Sequence, residues 1–126
     1  MSSFLDRRAI IAALCCAAIP AEAQDAAEVQ PSGYRVALEN DEMRVLDFHS
    51  KPGLGVCGVG IHSHPAHLTV LLTPARARDT QNGKTVIVSN QPGDVFWLPP
   101  ITHETENIGS SDIRALIIEV KSTRSQ

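Results

Sequence analysis

Between residues 34 and 120 the chain runs in short segments of alternating apolar and polar positions, separated by turn residues. Residues 34–39 alternate and meet Asn40-Asp41, and residues 43–49 form a second run ended by Lys51-Pro52-Gly53. Residues 56–64 are rich in glycine and β-branched side chains, and residues 68–72 are an apolar run suited to a fully buried strand. A shorter strand over 75–80 leads into Asn82-Gly83, a strong two-residue hairpin signal, and residues 85–89 return from it. Pro92-Gly93 turns into a strand over 94–98, and Pro99-Pro100 bends the chain toward residues 103–107. Gly109-Ser110-Ser111-Asp112 then turns into residues 113–120, the most apolar strand. No segment in this region keeps a helical period for three turns. The pattern predicts an all-β domain of about nine strands, closed as a barrel or double sheet because so many short strands must hide their edges.

The two ends read differently. Arg7 and Arg8 precede an apolar stretch over 9–19, which is shorter than the roughly 20 residues that span a bilayer. Pro20 breaks the stretch, and Ala21-Glu22-Ala23 fits a small-x-small cleavage site. Residues 1–23 are therefore expected to be a signal peptide, with a periplasmic or secreted mature protein that keeps no transmembrane segment. The arginine pair also fits the twin-arginine route, which carries folded proteins. Residues 24–33 are polar and alanine-rich and read as a flexible leader, residues 34–120 as the barrel, and residues 121–126 as a tail.

Charge and cysteine content narrow the function. The net charge is −3, and removing residues 1–23 takes away two basic and two acidic side chains, so it stays there. No basic cluster marks a nucleic-acid partner. Cys57 is the one cysteine outside the signal peptide, so the mature chain has no internal disulfide, and between Val56 and Gly58 it reads as a small core residue.

The candidate chemistry lies in His62-Ser63-His64-Pro65-Ala66-His67 and His103-Glu104-Thr105-Glu106-Asn107, which hold four of the five histidines. Alternate side chains of a strand share a face, so His62 and His64 can point the same way. Two imidazoles from one strand and a third from a distant strand make a good divalent-metal site. The other reading is a set of ordinary barrel histidines without metal. Glu104 and Glu106 alternate to the face opposite His103. His49 reads as a surface residue or a support for a ligand. Of Phe96 and Trp97, both candidates for a substrate wall, one is expected inside the barrel and the other outside.

These motifs resemble those of the cupin superfamily, small barrels of jelly-roll type. The first cupin motif, His-x-His followed by Glu, matches His62-Ser63-His64. The second matches Pro92-Gly93-Asp94, Pro99, His103 and Asn107. Among cupins the chain resembles small single-domain bacterial members with a His-x-His-Pro run, including those linked to β-alanine degradation. It departs from the pattern in three places. Leu68 and Thr69 stand where the Glu is due, no glycine lies between Pro99 and His103, and the glycine that ends the first motif is missing near Ala75-Arg76. The resemblance implies one divalent transition metal per chain (Fe, Ni, Cu or Zn), held by His62, His64 and His103. His67 is a candidate fourth ligand or a rim histidine facing a substrate.

Three neutral imidazoles leave the charge of a metal uncompensated and favour an anionic ligand or a bound hydroxide. The implied function is an exported metal-binding cupin acting on a small organic molecule, in the manner of an Fe(II) dioxygenase. A non-catalytic module that captures a small ligand or a metal is the alternative, and a Zn-type hydrolase or isomerase is a third. A homodimer is expected for a domain this small.

Overall fold

The computed structural model describes residues 24–53 and 60–121. The expected signal peptide, Cys57, the first part of the strand expected over 56–64 and nearly all of the tail lie outside the described residues. Among the described residues a short helix, α1 (Ala26–Val29), precedes nine strands. These are β1 (Tyr34–Glu39), β2 (Met43–Ser50), β3 (His62–His64), β4 (His67–Leu71), β5 (Ala75–Gln81), β6 (Lys84–Asn90), β7 (Val95–Leu98), β8 (Ile101–Asn107) and β9 (Ile113–Val120). They form a five-stranded sheet in the order β1-β2-β9-β4-β7 and a four-stranded sheet in the order β3-β8-β5-β6. The nine strands and the two facing sheets agree with the all-β jelly-roll reading.

Turn chemistry sets the register. Asn82 and Gly83 adopt φ of 50° and 76°, the left-handed values that a two-residue primed turn demands, and Gln81 pairs with Lys84 across it. Gly93 has φ of 88° after Pro92, and the Asp94 amide donates to the Gln91 carbonyl at 3.1 Å, closing a type II turn.

β9 lies in the middle of its sheet and alternates strictly. Ile113, Ala115, Ile117 and Glu119 are buried, and the residues between them are more exposed. The inward apolar side chains form two clusters. One joins Ala26, Tyr34, Leu46 and Ile117, and the other joins Leu71, Ile113 and Ala115 with Phe48, Ala75, Ala77 and Phe96 packed against it.

Two expectations need correction. β4 starts at His67 and alternates, with His67, Thr69 and Leu71 buried, while Leu72 is 45% exposed. The run is half-buried because its outer face has no covering layer among the described residues. The segment 24–33, expected as a flexible leader, instead holds α1 and inserts Ala26, 0% exposed, into the core. Ala26 is small enough to fill the gap beside Tyr34, a tertiary contact that composition does not reveal.

Asn107 ties the ends of β2, β8 and the turn into β9 together. Its Nδ2 donates to the carbonyls of Ser50 at 3.0 Å and Ser111 at 2.9 Å, and its Oδ1 accepts from the Gly109 amide at 3.0 Å. At 2% exposure these partners have little water to turn to. Asn107→Ala should therefore cost about 2–3 kcal/mol in a urea unfolding curve, from buried groups left unpaired. A change below about 0.5 kcal/mol would show that water takes the place of the side chain.

Candidate metal centre

β3 and β8 pair so that His62 stands directly opposite His103. His64, two residues along the same face, is buried like His62. One ring nitrogen from each of His62, His64 and His103 lies within 4.8 Å of the others. The ring centroids are 4.8 Å apart for His62–His64, 4.6 Å for His62–His103 and 5.6 Å for His64–His103.

The hydrogen-bond partners settle which nitrogens are free to bind. Carbonyls and carboxylates only accept, so the nitrogen facing one carries the proton. His62 Nδ1 donates to the Gly60 carbonyl at 2.6 Å, His64 Nδ1 to Glu119 Oε2 at 2.8 Å, and His103 Nδ1 to Asp79 Oδ1 at 2.7 Å. All three therefore keep the lone pair on Nε2. His62 Nε2 accepts from the Tyr34 hydroxyl at 2.9 Å. His103 Nε2 is buried with no partner, one of two such side-chain atoms among the described residues.

Electrostatics keep His62 and His64 neutral. Burial first, then the neighbouring imidazoles, lowers the His62 pKa to about 3. Burial lowers the pKa of His64 as well. Burial opposes ionisation of Asp79, but the hydrogen bonds from His103 and Gln81 outweigh it and hold its pKa below the ordinary carboxylate range. Burial also raises the pKa of Tyr34, so the phenol keeps its proton.

These residues fit a transition metal. An orphaned imidazole lone pair costs roughly 1–3 kcal/mol, which a cation would recover. Nitrogen donors suit Fe, Ni, Cu and Zn better than Ca or Mg. Carboxylates holding the far nitrogen of a ligating histidine orient it and raise its basicity. The charge picture drawn from sequence changes here. Among the described residues no carboxylate joins the three histidines, but Asp79 and Glu119 stand one hydrogen bond behind two of them.

The other candidates fall in different places. His67 stands outside the group of three. The chain leaves one sheet at His64 and enters the facing sheet at His67, so Pro65-Ala66 is a corner and strand alternation does not carry across it. His67 is 1% exposed, its Nδ1 donates to the Pro65 carbonyl at 2.7 Å, and its ring lies 4.8 Å from that of His64. His49 pairs with Asp112 at 2.9 Å on the surface. Glu106 pairs with Arg78 on the outer face. Glu104 pairs across the ladder with Thr80. Phe96 packs against the inner cluster, while Trp97 is 53% exposed.

A cavity of about 400 Å³ opens beside the histidines, lined by His64, His67 and His103 together with Tyr34, Phe96 and Leu71. Sequence reasoning passed over Tyr34, Asp79, Glu119 and Arg44. The available signal was register. Asp79 follows Ala75 and Ala77 on the inward positions of β5, and Glu119 follows Ile113, Ala115 and Ile117 on those of β9. A charge in an inward register needs a buried partner.

No protein-family model matches the chain, and no curated protein matches it by sequence. Solved structures do match. A cupin domain from Bordetella pertussis Tohama I superposes with a TM-score of 0.65 at 20% identity, over 71% of this chain and 92% of that one. A cupin protein from Bacteroides fragilis has a TM-score of 0.51 at 25% identity, over 71% and 75% of the two chains. A cupin-family protein from Methanocaldococcus jannaschii with a double-stranded β-helix fold gives 0.56 at 9% identity, over 69% and 77%. The fold is thus the cupin double-stranded β-helix, and it carries three histidines that can hold a metal.

Removing one ligand should empty the site. His103→Ala should lower bound transition metal, measured by elemental analysis after dialysis, from about one per chain to under a tenth. Undiminished metal in this variant would exclude the group of three as the site. The metal-free protein should also lose stability in acid. The unfolded chain protonates His62 near 6.5 and the folded one only near 3, so the stability present above about pH 6.5 is lost as pH falls toward 3. The urea midpoint of chelator-treated protein should fall steadily over that window, whereas a flat midpoint would contradict the buried neutral imidazole.

Proposed function

We propose that the chain is an exported, metal-dependent enzyme of the cupin superfamily, in which His62, His64 and His103 hold one divalent transition metal and a small organic molecule is oxidised by dioxygen in the adjoining cavity. The observation that carries this reading is the shared tautomer of the three histidines, with each Nδ1 proton committed outward and the His103 Nε2 left bare. The His-x-His-Pro run resembles that of the small bacterial cupins linked to β-alanine degradation, without implying their substrate. Export rests on the leader pattern of residues 1–23, and a homodimer on the size of the domain.

When bound, the metal would supply Lewis acidity and, in the case of iron, redox chemistry toward dioxygen. The chain's own residues supply the rest. Leu71, Phe96, Ile113 and Ala115 line the cavity and keep water from the reacting molecule. Tyr34 keeps its proton and has its hydroxyl held at the histidine cluster by His62 Nε2, with Thr105 also in hydrogen-bonding reach. Tyr34 also lines the cavity, so a hydroxyl not engaged by His62 would donate to a substrate oxygen there. His67 has its Nδ1 fixed on the Pro65 carbonyl, which leaves Nε2 as the acceptor for a substrate proton.

One observation favours the non-catalytic alternative. The Tyr34 hydroxyl already satisfies His62 Nε2 without a metal, as a ligand-binding barrel would need.

Oxygen uptake separates these readings. The iron-loaded protein is assayed with a panel of small, mostly apolar molecules that carry one oxygen-donor group. Uptake lost in His103→Ala, with kcat lowered about tenfold or more in Tyr34→Phe, is the expected result. Turnover that persists without oxygen would point to a hydrolase or isomerase. Binding without turnover across the panel would point to a binding module.

A further inference from the structure

β3 carries two of the three histidines, is only three residues long, and lies at the edge of its sheet, with β8 as its one ladder neighbour among the described residues. A short edge strand is a poor platform for a metal ligand unless something holds its free side. The segment that begins at Gln24 does so. The Ser63 amide, between the two histidines, donates to the Gln24 carbonyl at 2.6 Å, and Asp25 forms a parallel bridge with Ser63. Gln24 is 2% exposed, and Ala26 packs against Tyr34, the residue that meets His62.

A chain of charged contacts runs inward from this segment. Arg44, Glu119 and His67 occupy one row across β2, β9 and β4, because Arg44 pairs with Glu119 and Glu119 with His67 in the ladders. Glu119 divides its two oxygens. Oε2 accepts from His64 Nδ1 at 2.8 Å, and Oε1 accepts from Arg44 Nε at 2.8 Å and lies 2.7 Å from its terminal nitrogen NH2. The outer edge of the same guanidinium meets Asp25, at 2.5 Å to Oδ1 and 3.2 Å to Oδ2. The Glu119 side chain is 3% exposed and that of Arg44 is 17% exposed, so neither is free to exchange its partner for water at low cost.

We propose that Asp25 is a positioning residue of the metal centre: it fixes the plane of the Arg44 guanidinium, which fixes Glu119, which holds the His64 ring with Nε2 turned toward His62 and His103. The N-terminal segment is then a working part of the site. This inference rests on the metal-binding reading of the three histidines. The expected processing after Ala23 would leave Asp25 in place as the second residue of the mature chain.

The test uses the full chain, exported and purified, with Asp25→Asn, Asp25→Glu and Arg44→Met alongside the wild type. Zn²⁺ affinity is measured by competition with a chromophoric chelator, and the ligand field by the visible spectrum of the Co²⁺-loaded protein. Partners of a ligating histidine are worth about 10–100-fold in affinity, and Arg44 acts through such a partner, Glu119, so Arg44→Met should weaken Zn²⁺ binding by about tenfold, the lower end of that range. Asp25→Asn, one step further out, should weaken it about threefold to tenfold and shift the Co²⁺ bands. Asp25→Glu should recover most of the loss. Thermal melts of the metal-free proteins check folding. If Arg44→Met does not fold, the Asp25 pair carries the test. Wild-type affinity and an unchanged Co²⁺ spectrum in Asp25→Asn would overturn the positioning role.

If the wild type itself binds neither ion, the metal reading fails, and ring-nitrogen NMR of the metal-free protein decides the rest. His64 held as the Nδ1–H tautomer in the wild type and mixed in Asp25→Asn keeps the positioning role. The same tautomer in both removes it.

Discussion

Four imidazoles crowd into the end of this barrel, and each gives its Nδ1 proton to a fixed acceptor. That constraint organises the structure around it. Each buried imidazole must keep one nitrogen satisfied at all times, so the fold supplies two backbone carbonyls, from Gly60 and Pro65, and two carboxylates, from Asp79 and Glu119. Once those bonds are made, the lone pairs of His62, His64 and His103 lie on Nε2, and that of His103 is buried without a partner. The barrel end is then costly unless something else occupies it, and a cation bound by nitrogen is the occupant the chemistry favours.

The carboxylates bring their own requirement. A buried Glu119 needs more than a neutral imidazole, and Arg44 provides it from the next strand. A half-buried Arg44 needs more than one carboxylate, and Asp25 provides the second from outside the barrel. The demand for pairing passes outward from the site until it reaches a side chain that water can help solvate. In this way a short polar segment before the first strand becomes tied to the position of His64. Asp79 follows a shorter path, from His103 to Gln81 at 3.0 Å.

Much of this was legible in the sequence, and the parts that were not share a cause. Local turn chemistry placed the hairpin at Asn82-Gly83, the turn at Gly109-Ser110-Ser111-Asp112 and the apolar run after it placed β9, and period-two alternation put His62 and His64 on a shared face. Each of these depends on neighbours within a few residues. The contact between His64 and Glu119 joins residues 55 apart, and the run over 113–120 reads as the most apolar strand until one asks what Glu119 is doing at an inward position. His67 turns inward because the chain changes sheets at Pro65-Ala66, which no alternation rule within one strand can express. The helix at Ala26–Val29 is four residues long, too short to leave a period, and forms because the barrel offers Ala26 a place.

The central claim is that three histidine Nε2 atoms, and no carboxylate, form the protein part of a metal site. X-ray absorption of the metallated protein, purified from its native compartment without a histidine tag, tests it most directly. The account predicts an edge from Fe, Ni, Cu or Zn with about three imidazole nitrogens at close to 2.0–2.2 Å and the outer-shell scattering of intact imidazole rings. A spectrum with sulfur, with oxygen ligands alone, or with a single imidazole would contradict it.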